Sequence, residues 1–205
     1  MKSLSTIAKS TVVFATLGAL GMAQAVVVIS NMPGNDATQS AALNDQRRKA
    51  MAFTTDSSEW FLDSATLRLN ANPNAQPLLR LHADAAGIPG AILDTFVNPA
   101  SFGTGNQNYT FTSGFQVAAN TKYWLVLYDP TGSTPFDWKA SSPAETPTGL
   151  WTHSGSLFTT NGGGAWGNST ILTSYLIEAT VVPEPASLAA IALGLAALAS
   201  RRRRR

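Results

Sequence analysis

Two histidines and a scatter of carboxylates are what this 205-residue chain offers for acid–base or metal chemistry. His82-Ala83-Asp84 sets an imidazole and a carboxylate two residues apart, on one face of a strand, as a pair of metal ligands would be. No third ligand follows at a usable spacing, so no metal site is assigned. His153 lies in "THSGS" beside serines, but no G-x-S-x-G elbow presents a nucleophile. Glycosidase chemistry needs two carboxylates at a fixed separation, and Glu59, Glu145 and Glu178 are scattered. No residue is given a catalytic role, and the chain is not expected to be an enzyme. The loop 129–137 carries oxygen donors on Asp129, Thr131, Ser133 and Asp137 that could hold calcium. It lacks the spacing and the final glutamate of an EF-hand loop, so calcium is the one candidate in an otherwise cofactor-free reading.

Three tryptophans offer a different chemistry. Trp138, Trp151 and Trp166 fall in or beside loop-rich stretches, near Asp137, Asn161 and Asn168. Flat rings flanked by amides and carboxylates can form a platform for sugar rings, with the ring supplying apolar area and the polar groups direction. The reading that leads is that these rings plug a hydrophobic core, their indole N–H groups bonded to backbone. Trp60 and Trp124, inside apolar runs, read as core.

The elements that would carry these groups are strands. In "FLDSATLRLN", Phe61, Ala65, Leu67 and Leu69 are assigned to one face and Ser64, Thr66 and Arg68 to the other. "LLRLHAD" repeats the pattern with Leu79, Leu81 and Ala83, and "SYLIEATV" with Tyr175, Ile177 and Ala179. "YWLVLY" is apolar on both faces and reads as a central strand. Glycine, proline and aspartate clusters such as "AAGIPGA", "DPTGST" and "TNGGGA" separate the runs. Only "ATQSAALNDQRRKAMAF" has weakly helical character. Many short strands at near-regular spacing predict an all-β fold, an antiparallel sandwich of jelly-roll type.

Both ends of the chain differ from this middle. Lys2 and Lys9, an apolar stretch over residues 11–22 and Ala23-Gln24-Ala25 have the layout of a secretory signal peptide with an A-x-A cleavage site. The mature chain is expected to begin near Val26. Residues 186–200 carry no charge and are rich in alanine and leucine. As a helix at ~1.5 Å per residue they reach about 22 Å, against a hydrocarbon core of about 30 Å. Snorkelling arginines and slight thinning of the bilayer make a transmembrane helix feasible. Arg201, Arg202, Arg203, Arg204 and Arg205 would hold that end in the cytoplasm, and Pro183, Glu184 and Pro185 would stay extended at the outer face.

Setting the ends aside leaves about 155 residues, 26–180, enough for one domain whose core needs no staples. The chain as a whole carries +2, but residues 26–180 hold seven basic and eleven acidic residues, a net of −4. Nucleic acid is therefore a poor partner. There is no cysteine, so disulfides and thiolate–metal chemistry are excluded.

Val182-Pro183-Glu184-Pro185, the alanine-rich segment and the arginine cluster together resemble a PEP-CTERM sorting signal over the last 25 or so residues. Proteins of that family occur in Gram-negative bacteria that make exopolysaccharide. The resemblance implies processing near the motif by an exosortase, a membrane-bound cysteine peptidase, after removal of the signal peptide by signal peptidase. "FLDSATLRLN", "LLRLHADAAGIPGAIL" and "FTSGFQVAANTKYWLVLY" are similar to the choice-of-anchor R domain, whose members pair one β-sandwich with different surface-attachment signals. Together these imply an exported protein, transiently anchored in the inner membrane and then placed at the cell surface or in the extracellular matrix. Its expected role is structural or adhesive, associated with exopolysaccharide. The alternatives are a carbohydrate-binding module using the loop tryptophans and, further off, a hydrolase or lyase acting on polysaccharide.

Overall fold

The structure is a computed structural model describing residues 24–32, 36–132, 134–141, 143–182 and 194–195, with side chains described for all of these except 36–39. Among the described residues there are thirteen strands, all paired antiparallel. They are β1 (Val26–Ser30), β2 (Asp36–Leu43), β3 (Arg48–Thr54), β4 (Trp60–Asn70), β5 (Leu78–Ala85), β6 (Ile88–Thr95) and β7 (Thr104–Val117). The second half adds β8 (Lys122–Tyr128), β9 (Phe136–Ser141), β10 (Thr148–Gly149), β11 (Thr152–Thr159), β12 (Gly167–Asn168) and β13 (Tyr175–Val181). One sheet runs β10-β1-β13-β4-β9-β2, with β7 on the free side of β4; the other runs β12-β11-β3-β8-β5-β6. The fold is a two-sheet β-sandwich, in agreement with the alternation in the sequence.

The core lies between the sheets. Ile29, Leu62, Leu67, Leu69, Tyr175 and Ile177 enter from the first sheet, and Met51, Phe53, Leu81, Leu125 and Leu127 from the second. Each large aliphatic side chain buried this way contributes roughly 1.5–3 kcal/mol. The outer face of the second sheet is also dry in its middle, where Ala50, Ala52, Trp124, Val126, Tyr128 and Leu157 form a second buried cluster. This is why "YWLVLY" is apolar throughout: Tyr123, Leu125 and Leu127 face inward while Trp124, Val126 and Tyr128 face outward. Long cationic side chains roof that outer cluster. The Arg48 guanidinium sits 4.1 Å from the Tyr128 ring centroid and the Lys122 ammonium 4.6 Å from that of Trp124.

Two readings of the sequence are corrected. The segment expected to be weakly helical is β2, a turn and β3. Asn44 decides this: its side-chain carbonyl oxygen accepts from the backbone N–H of Gln46 (3.0 Å) and Arg47 (2.7 Å), closing a tight reversal. The second correction concerns β4. Its register slips between Leu62 and Ser64: against β13, where Glu178 and Ala179 are consecutive, Asp63 is an extra residue, and against β7 the partners jump from Phe115 to Thr110. A one-residue bulge inverts the alternation, so Trp60 and Leu62, not Phe61, join Ala65 and Leu67 in the core.

Candidate functional site

The start of β1 and the end of β13 lie side by side. Val26 pairs with Ala179 and Val27 with Glu178, while Val181 pairs with Trp60 of β4. The Val182 N–H donates to the Glu59 carbonyl at 2.9 Å, so the ladder holds the backbone up to the residue before Pro183. On the other flank of β1, the Trp151 N–H donates to the Val28 carbonyl, which brings Leu150 to the same end of the sheet. Val26, Val27, Leu150 and Val181 thus share one end of the sandwich, and each is 39–56% exposed.

The expected processing points adjoin this end. Gln24 and Ala25 are exposed next to Val26, and residues 1–23 of the expected signal peptide lie outside the described residues. Pro183, Glu184, Pro185 and Arg201, Arg202, Arg203, Arg204 and Arg205 also lie outside them. Of the expected transmembrane helix only Gly194 and Leu195 are described, both helical. Among the described residues no helix is long and apolar enough to cross a membrane.

Residues 181–205 match the PEP-CTERM protein-sorting motif. The match begins on the last residue of β13, where fold gives way to tail. It supports an exported protein that an exosortase processes and sorts to the surface. Comparison with curated proteins and with solved structures returned no match. The likeness of the middle region to choice-of-anchor R gains no support from these comparisons.

The three loop tryptophans do not form one platform. Trp138 is 0% exposed on β9, and its indole N–H donates to the Ser174 carbonyl at 2.9 Å. Trp151 is 2% exposed, stacked on Phe53 with centroids 5.0 Å apart and edge-on to Trp60 at 6.2 Å. Both rings fill the space between the sheets, Trp138 two residues after the inward-facing Phe136 on β9 and Trp151 from the bend between β10 and β11. Trp166 is half-buried against the outer cluster of the second sheet, at a shallow hollow of about 420 Å³ shared with Phe158, Asn161 and Asn168.

His82 and Asp84 share a face of β5 but serve different partners. His82 Nδ1 lies 2.8 Å from the Gly90 carbonyl oxygen. Asp84 accepts from the Trp124 indole N–H at 2.7 Å and from the Gly87 N–H at 3.0 Å, and pairs with Lys122 at 3.4 Å. Partial burial works against its charge, but these donors outweigh that and hold its carboxyl below the usual range. Asp129 is fully buried, and both of its oxygens accept from protein donors: Thr131 N–H and O–H on one, Gln76 N–H on the other. Among the described residues no group of three His, Asp or Glu converges as a metal site would require. His153 and Ser156 are likewise separate, since Ser156 is bonded elsewhere.

That partner is Lys49, which the sequence did not single out. It is fully buried at the inward register of Met51 and Phe53. Its ammonium donates to Ser156 Oγ (2.6 Å), Ser169 Oγ (2.7 Å) and the Ile171 carbonyl (2.7 Å). No carboxylate is among these partners, and burial pulls the amine down to about 7. Desolvation, followed by the nearby Lys49 charge, also lowers His153. The cluster pins the segment between β12 and β13 onto β3 and β11, which makes it a fastener for the strand that leads into the tail. A surface hollow of about 500 Å³, lined by Arg47, Phe158, Ser169 and Ile171, adjoins it. A lysine at the head of the apolar run 50–53, in phase with Met51 and Phe53, was the available sequence signal.

Proposed function

We propose that this chain is the precursor of a structural or adhesive surface protein, held in an exopolysaccharide-containing matrix after an exosortase has acted near Pro183-Glu184-Pro185. The observation that carries the reading is the junction at Val181 and Val182. The sorting motif starts where the last ladder hydrogen bond ends, so the whole sandwich is delivered as one body behind a disposable tail. Signal peptidase would release the other end beside it at Val26, leaving a domain trimmed at one edge and intact elsewhere.

The body supports a passive role by its build. Trp138, Trp151, Asp84 and Asp129 are engaged in packing and in bracing turns. No residue is assigned to catalysis.

The experiment is fractionation of producing cells that express the wild-type chain or the doubly substituted Pro183→Ala, Pro185→Ala chain. Wild type is expected outside the cell, shortened, and released from the matrix by a polysaccharide-degrading enzyme. The substituted chain is expected in the membrane fraction at full tail length. Equal distribution of the two would refute sorting through this motif. Wild type that is shortened but indifferent to matrix digestion would refute the association with exopolysaccharide.

A further inference from the structure

The end of the sandwich where β1 starts and β13 finishes has the geometry of a lipid-facing surface. We propose that Val26, Val27, Leu150 and Val181 rest against the headgroup layer of a zwitterionic membrane while the tail is inserted. The proposal rests on the reading above that residues 186–200 enter the bilayer.

The tether is short. Val182 is bonded to Glu59, and the uncharged segment starts at residue 186. Four residues fully extended cover at most about 14 Å. The headgroup region on each side of the hydrocarbon is itself roughly 5–8 Å thick. An extended Pro-Glu-Pro stretch therefore leaves the end of β13 no more than a few water diameters above the lipid surface, and any bend brings it into contact. The start of β1 is carried along, because Val26 is laddered to Ala179.

A soluble sheet end normally shows polar residues, and this one shows three valines and a leucine, each at least 39% exposed. Such side chains lower their free energy on leaving water for the interfacial layer. Carboxylates nearby are occupied: Glu59 accepts from Gln116, Asp63 from Thr180 and Glu178 from Ser64. Carboxylates at this end repel anionic lipid, so the apolar contact suits a zwitterionic surface.

The absence of native cysteine makes the test clean. The full chain, carrying a single Leu150→Cys or Asn74→Cys substitution with a fluorescent label, is reconstituted into phosphatidylcholine vesicles containing headgroup-nitroxide lipid. Asn74 is exposed in the loop after β4, at the opposite end of that strand from Trp60. Flotation of the vesicles reports insertion separately from quenching. The expected result is co-flotation of both proteins, with the label at position 150 quenched several-fold more than the label at 74. Co-flotation with equal quenching would overturn the lipid-facing surface and leave the sorting reading standing. Failure of both proteins to float would overturn the insertion reading, and the lipid-facing surface with it.

Discussion

Lys49 Nζ lies 2.7 Å from Ser169 Oγ, and that bond ties the third strand to the segment that feeds the last one. The two residues are 120 positions apart in the chain. Closure of the sandwich around β13 therefore depends on a buried amine that has no counter-charge among its bonded partners.

The Lys49 amine is at about 7 in the fold, against about 10.4 in an unfolded chain. Between those values the unfolded chain binds the extra proton, so stability rises with pH across this window. The slope is at most about 1.4 kcal/mol per pH unit. Urea midpoints taken from pH 7 to 10 should climb for the wild type and stay level for Lys49→Met. Parallel curves for the two proteins would show that the amine stays charged throughout.

Tyr175 is fully buried on β13, its hydroxyl is without a hydrogen-bond partner among the described residues, and burial raises that hydroxyl's pKa. Tyr175→Phe removes an unmet polar group without opening a cavity. Stability is expected to be unchanged or higher, by about 1 kcal/mol at most. Thermal or urea unfolding measures it, and a loss larger than that would mean the hydroxyl is bonded.

Ala86 and Gly87 form the β5–β6 reversal with φ of 53° and 91°. Two positive values in a two-residue connection are the signature of a type I′ hairpin, where alanine is strained by roughly 1–2 kcal/mol. Ala86→Gly should stabilise the protein by a fraction of that, since glycine costs more to order. A lower unfolding midpoint would contradict this.

Trp151 and Trp166 should separate cleanly on truncation. Trp151→Ala empties a stacked core position and should cost about 3–5 kcal/mol. Trp166→Ala, at a half-buried outer position, should cost clearly less. Similar unfolding midpoints for the two variants would restore the equivalence that their spacing in the sequence implied.

Strands with strict alternation were readable because one face is buried: Tyr175, Ile177 and Ala179 fall inward as their spacing required. The central position of "YWLVLY" was readable from its two apolar faces. Phe61 was misplaced because alternation carries no mark of the extra residue at Asp63, which only pairing with β13 reveals. The β2–β3 segment looked helical because alanine, glutamine and arginine favour helices, whereas the Asn44 turn and burial between sheets override that preference. Trp138 and Trp151 illustrate the same limit, since closeness to a loop in sequence does not separate a core plug from an exposed ring. The tail was legible for the opposite reason. Its order of proline pair, uncharged segment and arginine run is local, and residues 181–205 match the sorting motif without help from the fold.

Intact-mass measurement on protein recovered from outside the producing cells tests the sorting account most directly. The account predicts one species that has lost residues 1–25 and the arginine-bearing tail, with a C-terminus close to Pro183-Glu184-Pro185. A released protein whose mass still includes all five terminal arginines would contradict it.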